Sequence, residues 1–229
     1  MLSQAEKGGV QNTIQNCVTV LQNDPVLADS IRLNLLSERI DIVKPMGWQR
    51  SGPTLTDTDM MYILRRMEKY GLYSEKRVSA AIRIVANENH YHPIRDYLND
   101  LKWDGTERIS HALHRFLGTA EDELTAEALK IFLLGAIKRV FHPGCKFEMM
   151  LCLVGGQGAG KSSFFRLLAI KDEWFSDDLR RMDDDNVFRK LQGHWIMEMS
   201  EMIATANAKS IEEIKSFLSK QKETYKIPY

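Results

Sequence analysis

The stretch 155–163, Gly-Gly-Gln-Gly-Ala-Gly-Lys-Ser-Ser, carries the clearest chemistry in the chain. Gly155, four intervening residues and then Gly160-Lys161-Ser162 satisfy the spacing of a phosphate-binding loop. The glycines at 155, 156, 158 and 160 admit positive φ and carry no Cβ, so backbone N–H groups from Gly155 through Gln157 and Ala159 to Ser163 can turn inward onto phosphate oxygens. Lys161 is spaced to reach the β- and γ-phosphates, and the Ser162 hydroxyl to sit on a magnesium ion. The ligand expected here is ATP with Mg2+.

Hydrolysis or metal retention needs an acid at the end of a neighbouring strand. The run "GHWIMEMSEM" reads as that strand, with Trp195, Met197 and Met199 on one parity and Ile196, Glu198 and Ser200 on the other. Ligands gather at the carboxyl ends of strands in open α/β sheets, which favours Glu201 as the catalytic and magnesium-side acid. Glu198 falls in mid-strand, where a buried carboxylate is costly unless it meets a cation or a donor, and is the alternative magnesium partner. Past the next apolar stripe the chain turns basic: Lys215, Lys220, Lys222 and Lys226 stand against Glu223, with Tyr225 interleaved. Lys220, Lys222, Tyr225 and Lys226 are therefore candidate DNA contacts, with Tyr225 able to stack on a base.

The loop has to be held by a strand before it and a helix after it. "FEMMLCLV" reads as a buried strand, and "KSSFFRLLA" as a helix packing through Phe164, Phe165, Leu167 and Leu168. Such a helix puts the positive end of its dipole under the phosphates. The region before residue 147 reads as mainly helical. A helix capped at Thr56 or Asp57 buries Met60, Ile63, Leu64 and Met67 and stops at Gly71; the next, capped by Ser74, buries Val78, Ala81, Ile82 and Val85. Arg65, Arg66, Lys69, Lys76, Arg77 and Arg83 lie on this pair, which could be half of a DNA-binding module, although charges alone favour an ordinary solvated face. Ile14, Val18 and Leu21 mark an earlier helix, and Ile109, Ala112, Leu113, Phe116 and Leu117 a later one. The segment 124–141 is so apolar that burial on most sides is expected. His90 with His92, and His111 with His114, lack a third ligand at zinc spacing and read as structural or surface histidines.

Composition is that of a globular chain: 229 residues, 44% hydrophobic, 27% charged, with a formal net charge of zero. A nucleic-acid site must then be a local patch, because the molecule has no bulk attraction for a polyanion. No apolar run approaches the roughly 20 residues of a membrane span, and the first residues lack a signal-peptide core, so a cytoplasmic location and no membrane partner are expected. Cys17, Cys145 and Cys152 are odd in number and widely spaced, as for reduced thiols.

Several longer runs carry a resemblance. "HPIRDYLNDLKWDGTERI", "FHPGCKFEMMLCLVGGQGAGKS", "WFSDDL", "LQGHWIMEMSE" and "IKSFLSKQKETYKIPY" resemble the virulence-associated E (VapE) family of phages, plasmids and genomic islands. That family is similar to the superfamily 3 helicases of primase-helicase proteins. The resemblance implies an ATPase acting on single-stranded or origin DNA in replication, hexameric, working with other replication proteins of phage or host in the bacterial cytoplasm. It implies an α/β fold: a mainly helical region over 1–146, then a P-loop NTPase core of the RecA/AAA kind over 147–229, with a mostly parallel sheet left incomplete at the C-terminus. By the same likeness Gly155, Gly160, Lys161 and Ser162 are the phosphate-loop residues, and Glu201, with Glu198, the acids of the second motif. Family members continue past the position of Tyr229, where a sensor residue and an arginine finger are expected. The accompanying alternative is a nucleotide-binding regulatory or interaction module with little hydrolysis.

Overall fold

The computed structural model describes residues 2–4, 8–179, 190–200, 212, 215 and 216. The chain divides into two compact units, Met1–Asp96 and Tyr97–Tyr229.

The first unit is built on three helices and a hairpin: α1 (Ile14–Asn23), β1 (Ile31–Asn34), β2 (Arg39–Ile42), α2 (Asp57–Met67) and α3 (Glu75–Glu88). β1 and β2 pair antiparallel with Ile31 opposite Ile42 and Asn34 opposite Arg39. Thr56 caps α2 in a full capping box: its hydroxyl accepts from Asp59 N–H while the Asp59 carboxylate accepts from the Thr56 N–H. A 3-10 turn over Glu68–Tyr70 then ends at Gly71, whose φ of 76° is the left-handed stop expected of glycine. Ile63, Met67, Val78, Ala81, Ile82 and Val85 all lie in the core, with Leu64 and Met60 packed against it. α1 buries Val18 and Leu21 as expected, together with Cys17 and Val20, while Ile14 at its start is exposed.

Two buried aspartates lace this unit together. Asp24 accepts from Arg66 Nε at 2.5 Å, the Tyr70 hydroxyl at 2.6 Å and the Val26 and Leu27 amides. Asp59 accepts from Arg50 at 2.8 Å and Trp48 Nε1 at 2.7 Å as well as from Thr56. Burial alone would raise both carboxyls; the donors outweigh it and hold both below the ordinary carboxylate range. Trp48 also stacks on Tyr62 with ring centroids 4.8 Å apart.

The second unit contains α5 (Ile109–Leu117), α6 (Glu123–Phe141) and α7 (Lys161–Leu168), with two-residue strands β3 (Phe175–Ser176) and β4 (Ile196–Met197); α4 (Pro93–Asp100) runs across the division between units. β3 and β4 are parallel. Asp122 caps α6 by accepting from Thr125 N–H at 2.8 Å. Gly135 in α6 lies so close to the Phe147 ring that a Cβ there would fall 2.2 Å from Phe147 Cζ. Arg139 adds to the joint by donating to the Phe147 carbonyl at 2.9 Å. A small cluster of Leu113, Leu129 and Phe164 takes Ala112, Leu117, Phe132, Leu133, Leu151, Leu153 and Leu168 against it. Trp174 is buried between Tyr97 and Trp195, meeting each edge to face, whereas Trp103 is 81% exposed.

This architecture corrects the expected RecA/AAA-like core with a mostly parallel sheet. The chain is mostly helical, and its described strands form two separate two-stranded sheets, only the smaller of them parallel. The run 147–154 belongs to neither. It belongs to no helix or strand, with Leu151 and Leu153 packed on the cluster while Met149, Cys152 and Val154 are exposed, Val154 at 77%. A fully buried central strand needs paired neighbours on both edges, and among the described residues it has none. The same shortage of cover corrects α6: Leu129, Gly135 and Val140 are buried, but Leu124, Leu134, Ile137 and Phe141 are exposed. On α7, Phe164 is buried and Leu167 is not.

Candidate nucleotide and cation site

The loop 155–160 runs directly into α7, whose first residue is Lys161. Gly158 and Gly160 take φ of 80° and 81°, the left-handed region that glycine enters at no steric cost. A Cβ added at Gly155, Gly156 or Gly158 would meet nothing within 4 Å. These glycines therefore do not serve internal packing; they leave the loop's face clear. Gln157, Ala159, Ser162 and Ser163 are exposed around it. The Lys161 ammonium folds back over the loop and donates to the Gly155 carbonyl at 2.9 Å and the Gly156 carbonyl at 2.8 Å. Gly160 occupies the N-cap of α7 without a side-chain cap, so α7 opens with unsatisfied amides beside this cation.

β4 ends at Met197, so Glu198 is the first residue past its carboxyl end. Its amide donates to the Ser176 carbonyl at 2.8 Å, which fixes the backbone beside β3. Its carboxylate reaches the loop: the Ser162 hydroxyl donates to Oε1 at 2.7 Å, and Ser200 Oγ lies 3.3 Å from the same oxygen. Oε2 is buried with no hydrogen-bond partner. Two residues far apart in sequence thus meet at one point, beside a lysine and a helix N-terminus. Trp195 braces this stretch by donating its indole N–H to the Ala136 carbonyl at 3.2 Å.

Of the residues read from the sequence, Lys161, Ser162 and Glu198 come together in this way. Glu201 lies outside the described residues, as do Lys220, Lys222, Tyr225 and Lys226. Ser200 was not singled out as a site residue; it shares Glu198's parity, which was its only sequence signal. Among the described residues no three His, Cys, Asp or Glu side chains gather as a metal site. One carboxylate and one hydroxyl match a magnesium ion that keeps waters and shares phosphate oxygens, rather than one held in an all-protein cage. His111 pairs with Glu121 at 2.9 Å, and His114 faces the Thr119 carbonyl at 2.7 Å. No helix among the described residues is long and apolar enough to cross a membrane.

An open-faced glycine loop and a carboxylate that accepts from its serine make up the candidate site. Residues 98–229, more than half of the chain, match the virulence-associated protein E-like domain, and the chain belongs to that family. Comparison with curated proteins gives no match.

Proposed function

We propose that the chain binds ATP with Mg2+ through residues 155–163 and Glu198, and serves as a helicase-like P-loop NTPase in the DNA replication of a mobile genetic element. The observation that carries this reading is the 2.7 Å contact between Ser162 Oγ and Glu198 Oε1, with Oε2 buried and unpartnered. A buried lone carboxylate oxygen is expensive to leave unmet. A magnesium ion at Ser162 would satisfy it directly or through a bound water, and would bring the β- and γ-phosphates within reach of Lys161. Lys161 exchanges its two carbonyl acceptors for phosphate oxygens, and the open α7 amides supply further donors. When bound, magnesium offsets charge building on the phosphates. Glu201, the acid favoured from the sequence, is the second candidate acid in this reading. DNA held by Lys220, Lys222, Tyr225 and Lys226, a ring of copies of this chain, and work beside other replication proteins in the bacterial cytoplasm complete it.

Calorimetric titration with Mg2+ and ATP tests the site. Lys161→Ala should lose most of the affinity, since one charge-assisted contact is worth about 1.5–3 kcal/mol, or roughly 10- to 150-fold. Glu198→Gln should lose the magnesium dependence of binding while keeping part of the affinity, with Glu201→Gln titrated alongside. Equal affinity in wild type and Lys161→Ala would end the proposal.

A further inference from the structure

The outer face of α3 lies outside the matched family region and outside the nucleotide site. Val78, Ala81, Ile82, Val85 and Ala86 turn one side of this 14-residue helix into the core, where it packs on α1. At 100° per residue the opposite side presents Lys76, Ala80, Arg83 and Asn87, with Ser79 at its margin. Lys76, Arg83 and Asn87 are exposed. Neither cation forms an ion pair among the described residues, and the Asn87 amide makes no hydrogen bond there. Glu75 projects about 100° away from Lys76, and Glu88 is turned toward α1, where its carboxylate accepts from Gln22 at 2.9 Å. The face is therefore cationic and polar and free of carboxylates. At its leading end Tyr73 is 69% exposed, with Lys69 on the preceding turn.

We propose that this face of α3 docks in the major groove of duplex DNA. The groove is about 12 Å wide and admits one α-helix. From Lys76 to Asn87 the helix advances about 16 Å, the rise of roughly five base pairs. The two cations stand about 10 Å apart along the axis, Lys76 at the leading end and Arg83 past the middle, and reach phosphates. Ala80, small and central, lets the helix backbone approach the base edges. Asn87 supplies the paired donor and acceptor that match adenine N7 and N6. Gly71 sets the sharp turn before α3, and α1 braces it from behind, so the helix is presented rigidly. A protein partner would need apolar anchors at the centre of the face, and the two exposed here, Ile84 and Tyr73, lie at its edge and its leading end.

The test is fluorescence anisotropy of the full chain with a labelled 25-base-pair duplex, at several salt concentrations. The double variant Lys76→Ala/Arg83→Ala should weaken binding at least about tenfold and shallow the log–log salt slope by about 1.8, or 0.9 for each lost phosphate contact. Ala80→Glu, with its far-UV dichroism checked against wild type, should abolish binding by placing a carboxylate in mid-face. The double variant should keep wild-type Mg2+–ATP affinity by calorimetry, which separates this surface from the nucleotide site. Wild-type duplex affinity in the double variant overturns the proposal. So does loss of all duplex binding in Lys220→Ala/Lys222→Ala/Lys226→Ala, or wild-type binding to single strands or protein alone.

Discussion

Gly135→Ala puts two opposing effects into one methyl group. Alanine in a helix interior is favoured over glycine by about 1 kcal/mol, so on propensity alone α6 gains. The structure sets a larger cost against it. The new Cβ would lie 2.2, 2.4 and 2.5 Å from three atoms of the Phe147 ring. Ordinary contact lies near 3.5–4.0 Å, so the ring must move by more than 1 Å. Moving it strains the segment, because Arg139 holds the Phe147 carbonyl. Overpacking of this kind costs about 1–3 kcal/mol. The net expectation is a loss of about 0–2 kcal/mol and a melting temperature lower by a few degrees, at about 2–4 °C per kcal/mol for a chain this long. Thermal unfolding by circular dichroism reads it. The decisive arm is the cycle with Phe147→Ala: once the ring is gone, Gly135→Ala should stabilise by about 1 kcal/mol, reversing its sign. A Gly135→Ala protein that melts higher than wild type with Phe147 in place would refute the seating of that ring.

Asp24 and Asp59 both have lowered folded-state pKa values, so the stability they contribute is complete above the unfolded carboxyl value near 4 and is lost as pH falls through the folded values. Acid unfolding of Asp59→Asn should accordingly show a shallower pH dependence than wild type. Arg50→Ala strands the Asp59 carboxylate, whose side chain is nearly inaccessible, and should cost about 3 kcal/mol in denaturant unfolding. Ile170 holds φ of 70° just after α7, a left-handed position that suits glycine. Ile170→Gly should therefore raise stability by about 1 kcal/mol, and an unchanged or lower midpoint would contradict the strain.

The first unit was legible because its signals are local. Thr56 with Asp59 makes a capping box, Gly71 stops the turn, and the 3.6-residue stripes of α2 and α3 point where they should. In α1 the expected Val18 and Leu21 are buried, but Ile14 is not, and Cys17, read as a thiol rather than as core, joins the buried face. The second unit was less legible, since burial there depends on partners that no window of sequence contains. "FEMMLCLV" has the composition of a central strand, yet composition does not supply neighbouring strands. α6 likewise reads as buried on most sides and exposes Leu134 at 57%. In the site, the loop was plain from its spacing. The meeting of Ser162 with Glu198 was not, because it depends on where β4 stops. With the strand ending at Met197, Glu198 and not Glu201 stands at its carboxyl end; β3 is only two residues long, and its last backbone bond is to the Glu198 amide.

The placement of the four tryptophans gives the chain its own optical instrument. Trp48 lies parallel to a tyrosine in the first unit, Trp103 stands in solvent, and Trp174 and Trp195 cross edge to face in the second. Indoles held at a fixed 77° in an asymmetric setting couple their transitions and generate a near-ultraviolet dichroic band. Trp103, exposed and away from other rings among the described residues, adds little to that band and dominates quenching by iodide. Trp195 precedes Glu198 by three residues, so the coupled pair reports on order next to the carboxylate. Collapse of the band while the helical signal at 222 nm persists would mark loss of packing around the site without loss of the helices, a distinction that needs no label and no substitution.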